Sequence, residues 1–131
     1  MLRLTDELKK DPKRRISAGV IGYGGAFNMG RLHLTSMARN RRMDVAAVCE
    51  LDPERRAVAE EDFPGIKTYG SVGQMLRNAD LDLVTIITPH NTHAKLAVQC
   101  LEAGVNVVCE KPLAITSTEV EKMMAAAKKR K

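Results

Sequence analysis

The chain has 131 residues, the size of one domain, and 44% of them are hydrophobic, which is ordinary for a globular protein. The net charge of +5 comes from the two ends, because residues 1–15 and 117–131 each carry net +3 while residues 16–116 carry net −1. A basic patch on the fold itself is therefore not expected, and we predict no nucleic-acid partner. No stretch has the roughly 20 apolar residues of a membrane span, so no membrane partner is predicted either.

Cysteine and histidine usage bounds the chemistry further. Cys49, Cys100 and Cys109 show no paired or metal-like spacing, and the three histidines lack carboxylates at ligand spacing. We predict no metal site and reduced, packed thiols in a cytoplasmic protein. The N-terminal segment has no apolar core and is not predicted to be a signal peptide. Residues 1–15 are predicted to form a charged arm or short helix that leads into the fold.

The most informative stretch is Ile16–Gly30, an apolar run that ends in a glycine-rich loop before a periodic segment. A strand, a glycine turn and a helix in this order open a dinucleotide-binding unit. Glycines let the backbone approach a diphosphate without a Cβ in the way. The helix N-terminus adds unpaired N–H groups and a positive dipole end.

The loop departs from the usual G-x-G-x-x-G fingerprint at its third glycine. Gly22 and Gly24 fit the first two positions, whereas the third position holds Phe27 and the next glycine after Gly25 is Gly30. Either the loop is longer than usual, or the helix starts at a non-glycine residue. In the second case the preceding asparagine, at position 28, could cap the helix.

The rest of the chain alternates apolar runs with segments that carry helix signals. Further strands are predicted at 44–50, 66–69, 83–87 and 105–110, and helices at about 31–40, 53–62, 72–78, 92–103 and 117–129. The boundary signals are Asp52-Pro53, Ser71-x-x-Gln74, Gly104 and Thr116-x-x-Glu119.

Alternation of strands and helices predicts an α/β fold with a parallel sheet. Right-handed crossovers and a glycine loop after the first strand give the strand order 3-2-1-4-5 of a Rossmann-type, doubly wound sheet. We therefore predict one dinucleotide-binding domain over residues 16–131. In this fold ligands bind beyond the carboxyl ends of the strands, at the switch point between the first and fourth strands.

Polar residues follow three of the predicted strands. Glu50 ends the second strand, 28 residues after the first glycine of the loop. A dinucleotide site has an acid there for the ribose hydroxyls, and a carboxylate repels a 2′-phosphate, which favours NAD over NADP. Arg55 and Arg56 lie close by and weaken this inference.

The segment from Thr88 to His93 follows the fourth strand. Thr88 offers a hydroxyl, Asn91 could cap the next helix, and His93 is either a structural hydrogen-bonding group or a ligand contact. Glu110-Lys111-Pro112 follows the fifth strand, where a lysine can donate to a substrate oxygen or act as a base.

The glycine loop, the acid after Val48-Cys49, the Thr-Pro-x-x-x-His sequence at 88–93 and the Glu-Lys-Pro sequence at 110–112 occur in one order along the chain. Together they resemble the glucose–fructose oxidoreductase and inositol dehydrogenase family, written Gfo/Idh/MocA, over residues 16–119. The resemblance implies a nicotinamide cofactor. It also implies oxidation or reduction of a sugar, polyol or related hydroxy compound.

By this likeness one residue is catalytic and a larger set contacts the cofactor. The catalytic residue is Lys111, and its peptide bond to Pro112 is expected to be cis. The resemblance implies that the glycine loop approaches the diphosphate and that Glu50 holds the adenosine ribose. It also implies that Thr88, Pro89 and His93 flank the nicotinamide, while Glu110 and Lys111 face the nicotinamide ribose and the substrate. The cofactor-binding residues implied are Gly22, Gly24, Gly25, Ala26, Phe27, Asn28, Glu50, Thr88, Pro89, His93, Glu110 and Lys111.

The resemblance implies a plan of two domains, a nucleotide domain followed by a large mixed-sheet substrate domain, and this sequence stops at Lys131. We expect the first domain alone, without turnover until a second domain supplies the substrate pocket. Two alternatives remain, a non-catalytic NAD-sensing module and an NAD-assisted glycoside hydrolase domain, and the presence of Lys111 favours an enzyme over a sensor. We also expect a homodimer or larger assembly, because the predicted fifth strand, Val105–Cys109, is an apolar edge.

Overall fold

The computed structural model describes residues 3–25 and 27–129. Helices and strands alternate from β1 onward, with a 3₁₀ turn at His90–Thr92 between β4 and α5. The elements are α1 (Leu4–Lys10), β1 (Ile16–Ile21), α2 (Met29–Ala38), β2 (Met43–Cys49), α3 (Pro53–Asp62), β3 (Lys67–Tyr69), α4 (Val72–Asn78), β4 (Leu83–Ile86), α5 (His93–Glu102), β5 (Asn106–Cys109) and α6 (Ser117–Lys129).

The five strands form one parallel sheet in the order β3-β2-β1-β4-β5, which confirms the predicted Rossmann-type order. The chain winds outward from β1 through β2 to β3, crosses back over the sheet, and continues from β4 to β5. The adjacent strands β1 and β4 therefore lead into connections that run in opposite directions. A crevice opens between such connections at the carboxyl edge of the sheet.

Two hydrophobic cores lie on the two faces of the sheet. Strand β1 contributes to both, because successive side chains on a strand point to opposite faces: Ile21 lies in one core, and Ala18 and Val20 lie in the other. Residues of α4, α5 and α6 complete the first core, and residues of α2 and α3 complete the second. Aliphatic residues dominate both, as expected of a chain with only two Phe, two Tyr and no Trp.

Local capping explains where α3 and α4 begin. Asp52 Oδ1 accepts a hydrogen bond from Glu54 N at 2.9 Å, and Ser71 Oγ accepts one from Gln74 N at 3.2 Å. Each bond satisfies one backbone N–H that has no partner inside the helix. Gly104 has φ +92° just after α5, a backbone conformation that only glycine adopts without strain. These boundaries confirm the sequence signals.

The cap of α6 differs in part from a capping box. Thr116 Oγ1 accepts from Glu119 N at 3.2 Å, as predicted, but the Glu119 carboxylate accepts from Ile115 N at 2.9 Å rather than from Thr116 N. The carboxylate therefore orders the chain one residue earlier than the standard motif does.

Two predicted helix starts shift. Helix α2 begins at Met29, two residues before the predicted start, and it ends at Ala38. After β4 the chain makes a 3₁₀ turn, and α5 begins at His93 with Thr92 in the N-cap position. The prediction that Asn91 caps this helix is wrong, because Asn91 lies inside the 3₁₀ turn.

The segment before β1 is held at the amino-terminal edge of the sheet. Arg14 Nη2 lies 2.8 Å from Asp82 Oδ1 and 3.1 Å from Glu7 Oε2 of α1. The other Asp82 oxygen accepts from Ser17 N at 2.9 Å. Helix α1 is thus tied to the edge opposite the carboxyl ends of the strands.

Candidate functional site

The carboxyl ends of the four longest strands are aligned by backbone hydrogen bonds. Gly22 N donates to Cys49 O at 2.8 Å, Ile87 N donates to Ile21 O at 2.9 Å, and Glu110 N donates to Ile86 O at 3.0 Å. The segments after β1, β2, β4 and β5 therefore leave the sheet side by side. The predicted site residues that the structure describes lie on these segments or at the start of the helices that follow them.

The glycine loop adopts the conformation that its composition predicts. Gly22, Gly24 and Gly25 have φ of +104°, +92° and +82°, in the left-handed region that side chains other than glycine rarely enter. A Cβ on Gly22 would lie 3.2 Å from the carbonyl carbon of Ile87, and a Cβ on Gly24 would lie 2.8 Å from Arg55 Cδ. Both glycines thus allow close approach as well as the turn itself.

Gly30 and the start of α2 show that both interpretations of the loop apply. Gly30 is buried in the first turn of α2, and a Cβ there would collide with the carbonyl oxygen of Gly22. This close packing of helix against strand end is the role of the third glycine in a dinucleotide-binding fingerprint. The loop is therefore longer than usual, with Gly30 in the third position, and α2 itself starts at the non-glycine residue Met29.

Asn28 closes the lengthened loop. It has φ +37°, and its Oδ1 accepts from Gly24 N at 3.0 Å and from Arg31 N at 3.1 Å, so it caps α2 as predicted and also holds the loop. The preceding Phe27 is 89% exposed beside the loop. Ala26, which belongs to the predicted set, lies outside the described residues.

The Glu50 carboxylate contacts both the glycine loop and the start of α3. Its Oε2 accepts from Tyr23 N at 2.8 Å and its Oε1 accepts from Asp52 N at 3.2 Å, while Arg55 Nη1 is 4.0 Å from Oε1. The Glu50 side chain is only 11% exposed. A carboxylate oxygen can accept more than one hydrogen bond, so capacity remains for hydroxyl groups.

The two arginines after Glu50 have different surroundings. Arg56 Nη1 donates to the carbonyl oxygens of Glu50 at 2.6 Å and Leu51 at 3.0 Å, so it closes the end of β2. Arg55 packs against Gly24, and its Nε is 3.7 Å from Asp52 Oδ2. Only Arg55 therefore lies beside the glycine loop.

His93, the first residue of α5, joins two segments of the site. The His93 ring is 1% exposed, with Nε2 2.8 Å from Thr88 O and Nδ1 2.9 Å from Pro112 O. The Thr88 hydroxyl is 2.6 Å from the Thr92 hydroxyl, which donates to Pro89 O at 2.7 Å. Both ring nitrogens of His93 thus face backbone carbonyl oxygens, one in each of two segments of the site.

The segment after β5 carries the predicted catalytic lysine. The Lys111–Pro112 bond is cis, as the resemblance implies, and Lys111 is exposed. Glu110 Oε2 accepts from Lys111 N at 3.3 Å, and Glu110 Oε1 lies 2.6 Å from His33 Nε2. The hydrogen bond from His33 holds the pKa of the Glu110 carboxyl below its ordinary value.

Sequence reasoning missed two side chains of this edge. One is His33, three residues after Gly30 and therefore on the same side of α2, so recognising Gly30 as the third fingerprint glycine would have pointed to it. The other is Tyr23, which is 2% exposed and donates its hydroxyl to Asp62 of α3. Burial and this bond raise the pKa of Tyr23 well above its ordinary value.

Among the described residues, no three His, Cys, Asp or Glu side chains are grouped so that they could hold a metal ion. In the same part of the chain no helix has both the length and the apolar surface needed to cross a bilayer.

A parallel sheet in this order, with a glycine loop at its central strand and an acid at the end of β2, defines a dinucleotide-binding Rossmann domain. The sequence model of the family described as "Oxidoreductase family, NAD-binding Rossmann fold" (GFO_IDH_MocA) matches residues 16–131. The chain belongs to this Gfo/Idh/MocA family, and residues 16–131 form its NAD-binding domain.

Two curated relatives illustrate the likeness. Trans-1,2-dihydrobenzene-1,2-diol dehydrogenase of Xenopus laevis is 40% identical over 112 residues, which cover 85% of this chain and 33% of the relative. Inositol 2-dehydrogenase of Salmonella typhimurium is 30% identical over 116 residues, which cover 87% of this chain and 34% of the relative.

Solved structures agree with the assignment. The WlbA dehydrogenase of Bordetella pertussis, in complex with NADH and UDP-GlcNAcA, superimposes with a TM-score of 0.82 at 27% identity, over 89% of this chain and 33% of that one. An NAD-binding protein of Listeria innocua superimposes with a TM-score of 0.80 at 35% identity, again over 89% and 33%. The chain spans about a third of the length of the proteins it matches.

Proposed function

We propose that this chain binds NAD(H) across the carboxyl edge of its sheet and is the cofactor domain of a dehydrogenase that acts on a sugar, polyol or related hydroxy compound. The observation that carries the proposal is that three separate segments meet at one edge: the glycine loop, Glu50 and Glu110-Lys111-Pro112. These three segments are far apart in the sequence, and the order of the strands in the sheet brings them together.

The adenosine half of the cofactor fits the β1–β2 side of this edge. Gly22, Gly24 and Gly25, with the N-terminus of α2, offer backbone N–H groups and a positive dipole end to the diphosphate. Glu50, already oriented by two backbone N–H groups, accepts hydrogen bonds from the ribose hydroxyls. Phe27 and Asn28 complete the loop around the diphosphate, together with Ala26.

The nicotinamide half fits the β4–β5 side. Thr88 and Pro89 flank it from the loop after β4, with His93 holding that loop to Pro112. Glu110 and Lys111 face the nicotinamide ribose and the substrate. Bound NAD supplies the hydride acceptor of the reaction.

Lys111 is the residue proposed to handle the proton. Its ammonium group donates to the substrate oxygen, and its neutral form accepts the hydroxyl proton as the C–H hydride leaves. Shielding a lysine from water favours the neutral form that acts as a base. The relatives' names, inositol 2-dehydrogenase among them, support a hydroxy compound as the substrate class.

A binding titration tests the cofactor part of the proposal. We expect calorimetric titration of the chain with NADH to give saturable binding of one equivalent, with ADP as a competitor because the adenosine side is intact. If the folded chain binds neither NADH nor ADP, the proposal is wrong.

A chimera tests the role of Lys111. We expect no turnover above background from the 131 residues alone. Joining them to the remaining part of Salmonella typhimurium inositol 2-dehydrogenase should restore inositol oxidation. Lys111→Ala in that chimera should lower kcat/KM by about 100-fold or more, the usual scale for loss of a general acid or base.

The matched control for the chimera is Lys122→Ala, which removes an exposed lysine from α6. It should leave kcat/KM unchanged. Robust turnover by the 131 residues alone, or a Lys111→Ala chimera as active as the Lys122→Ala chimera, would contradict the assignment.

We also propose a reducing, cytoplasmic location for this chain. The support is that Cys49, Cys100 and Cys109 are all free thiols in the structure, as the sequence predicted.

A further inference from the structure

We propose that His33 is a positioning residue that holds Glu110, and through it Lys111, at the nicotinamide end of the site. The inference deepens the proposed function and rests on it. It depends on one contact that joins α2 to the segment after β5, two parts of the chain that are 77 residues apart.

The contact is short and comes from two well-anchored elements. His33 Nε2 lies 2.6 Å from Glu110 Oε1, and both side chains are about three-quarters buried. Helix α2 is fixed beneath His33 by the packing of Gly30 on Gly22. Glu110 is fixed by its own backbone N–H, which donates to Ile86 O. The pair therefore spans the gap between β1 and β5 above the carboxyl end of β4.

The proton in this contact belongs to the histidine. The lowered pKa of Glu110 keeps that carboxyl ionised near neutrality, and an ionised carboxylate only accepts hydrogen bonds. Nε2 of His33 is then the donor, and a hydrogen bond to a charged acceptor is stronger than one between neutral groups.

The same loop is held at its other end by the second histidine of the site. His93 Nδ1 lies 2.9 Å from Pro112 O, so Lys111 sits between two anchored neighbours. Lys111 N also donates to Glu110 Oε2 at 3.3 Å. Releasing His33 frees the Glu110 carboxylate, and the lysine loses the anchor on its N-terminal side.

The contact is suited to positioning rather than to stabilising the fold. A partly exposed contact between two polar side chains adds little to the free energy of folding. A substitution at His33 should therefore leave the melting temperature nearly unchanged and act on the nicotinamide end of the site. The adenosine end depends on Gly24 and Glu50, and the hydrogen bonds and ion pairs described for these two residues do not involve His33.

Two substitutions and one control separate these effects. His33→Leu removes the donor at similar volume, and His33→Gln retains a side-chain N–H near the position of Nε2. Ser36→Leu introduces the same leucine at an exposed position of α2. Each variant is titrated with NADH, which fills both halves of the site, and with ADP, which fills only the adenosine half.

We expect His33→Leu to weaken NADH binding by about fivefold, the scale of one ordinary hydrogen bond, and to change ADP binding by less than about twofold. His33→Gln should restore most of the NADH affinity, and Ser36→Leu should change neither affinity. In a Glu110→Ala background, His33→Leu should have almost no further effect, because the acceptor of its hydrogen bond is already gone.

A second measurement does not depend on NADH affinity. In the unliganded chain, His33→Leu should speed hydrogen exchange at Lys111 N by about tenfold while leaving the β1 amides unchanged, because only the local anchor is lost. If the unmutated chain binds ADP but not NADH, this exchange measurement decides the question alone.

The inference is overturned if His33→Leu weakens NADH and ADP equally, since that result indicates a general structural role. It is equally overturned if NADH affinity and Lys111 exchange are both unchanged. Failure of the unmutated chain to bind either ligand would instead count against the proposed function.

Discussion

The Glu50 carboxylate accepts hydrogen bonds from Tyr23 N of the glycine loop and from Asp52 N at the start of α3. It therefore orients the loop in addition to its proposed contact with ribose. A substitution that removes the carboxylate also leaves two backbone donors without their acceptor. To learn whether the charge of Glu50 or its hydrogen bonds determine the preference for NAD over NADP, the charge has to be changed separately from the hydrogen bonds.

We predict that the unmutated chain binds NAD(H) more tightly than NADP(H), because a carboxylate repels a 2′-phosphate. Glu50→Gln, which removes the charge but keeps an acceptor oxygen, and Glu50→Ala should both narrow the difference, as measured by calorimetric titration. Glu50→Ala should in addition lower the free energy of unfolding by about 1–3 kcal/mol, the cost of unpaired polar groups.

Glu61→Gln is the control, since it removes an exposed acid near the far end of α3. It should leave the ratio of NAD to NADP affinity as it is. Equal or tighter NADP binding by the unmutated chain would refute the assignment of Glu50.

The cysteines offer a second test at the residue scale. Burial raises the pKa of Cys49 to about 11 and that of Cys100 to about 12, and it also raises the pKa of Cys109, which is only partly buried. Thiol reagents attack the thiolate, so a raised pKa and burial both slow the reaction. In the folded chain at about pH 8, mass spectrometry should find Cys109 alkylated first and the other two only after unfolding.

Cys109→Ser should abolish the fast alkylation. Fast modification of Cys100 in the native chain would show that α5 does not pack as described, because that side chain is fully buried between α5 and the sheet.

At the scale of elements, the placement of α2 against β1 depends on the absence of a side chain at Gly30. The first turn of α2 approaches the end of β1 so closely that a Cβ on Gly30 would meet the carbonyl oxygen of Gly22. That approach sets both the position of the glycine loop and the direction in which His33 leaves α2. A single methyl group at this point should therefore move two parts of the site at once.

We predict that Gly30→Ala lowers the free energy of unfolding by about 2 kcal/mol, in the range of overpacked cores, and weakens NADH binding. Urea denaturation followed by circular dichroism measures the first effect. Gly73→Ala in α4 is the matched control. Its Cβ would meet the movable ends of two side chains, Arg77 at 3.2 Å and Gln99 at 3.9 Å, so it should stabilise the chain by about 0.5–1 kcal/mol. A Gly30→Ala chain as stable as the unmutated one would mean that α2 can move away without cost.

At the scale of the whole molecule, β5 is an edge of the sheet because, within residues 3–25 and 27–129, its one partner strand is β4. Val107 and Cys109 pack against the first core, whereas Val108 between them is 48% exposed. Unpaired backbone groups beside exposed aliphatic surface favour association with another chain. Burying several hundred Å² of such surface at about 25 cal/mol per Å² contributes several kcal/mol before the costs of association.

We predict a homodimer or larger assembly formed through β5 or the face beside it. Light scattering at about 100 µM should give at least twice the monomer mass, and Val108→Lys should shift the chain toward monomer, because a charged edge resists pairing. Val58→Lys, which alters a similarly exposed valine on α3, should not. A clean monomer whose β5 amides exchange like those of a free edge would reject the prediction.

The order of elements, the parallel sheet and its strand order follow from the sequence by itself. Each apolar run, each cap (Asp52 and Ser71) and the glycine after α5 can be recognised from a few consecutive residues. Right-handed crossovers between the parallel strands then give the predicted strand order. The positions of Glu50 and of Glu110-Lys111 at one edge follow from that topology alone. The family resemblance rests on the same residues, and the match over residues 16–131 confirms it.

Only the tertiary structure decided how those residues are held. Whether Gly30 serves the loop depends on how closely α2 packs on β1. The contacts of His33 with Glu110 and of His93 with Pro112 join segments that are 77 and 19 residues apart. No periodicity or cap reports such pairs, because each arises where the beginning of a helix meets the segment after β5 at the carboxyl edge of the sheet.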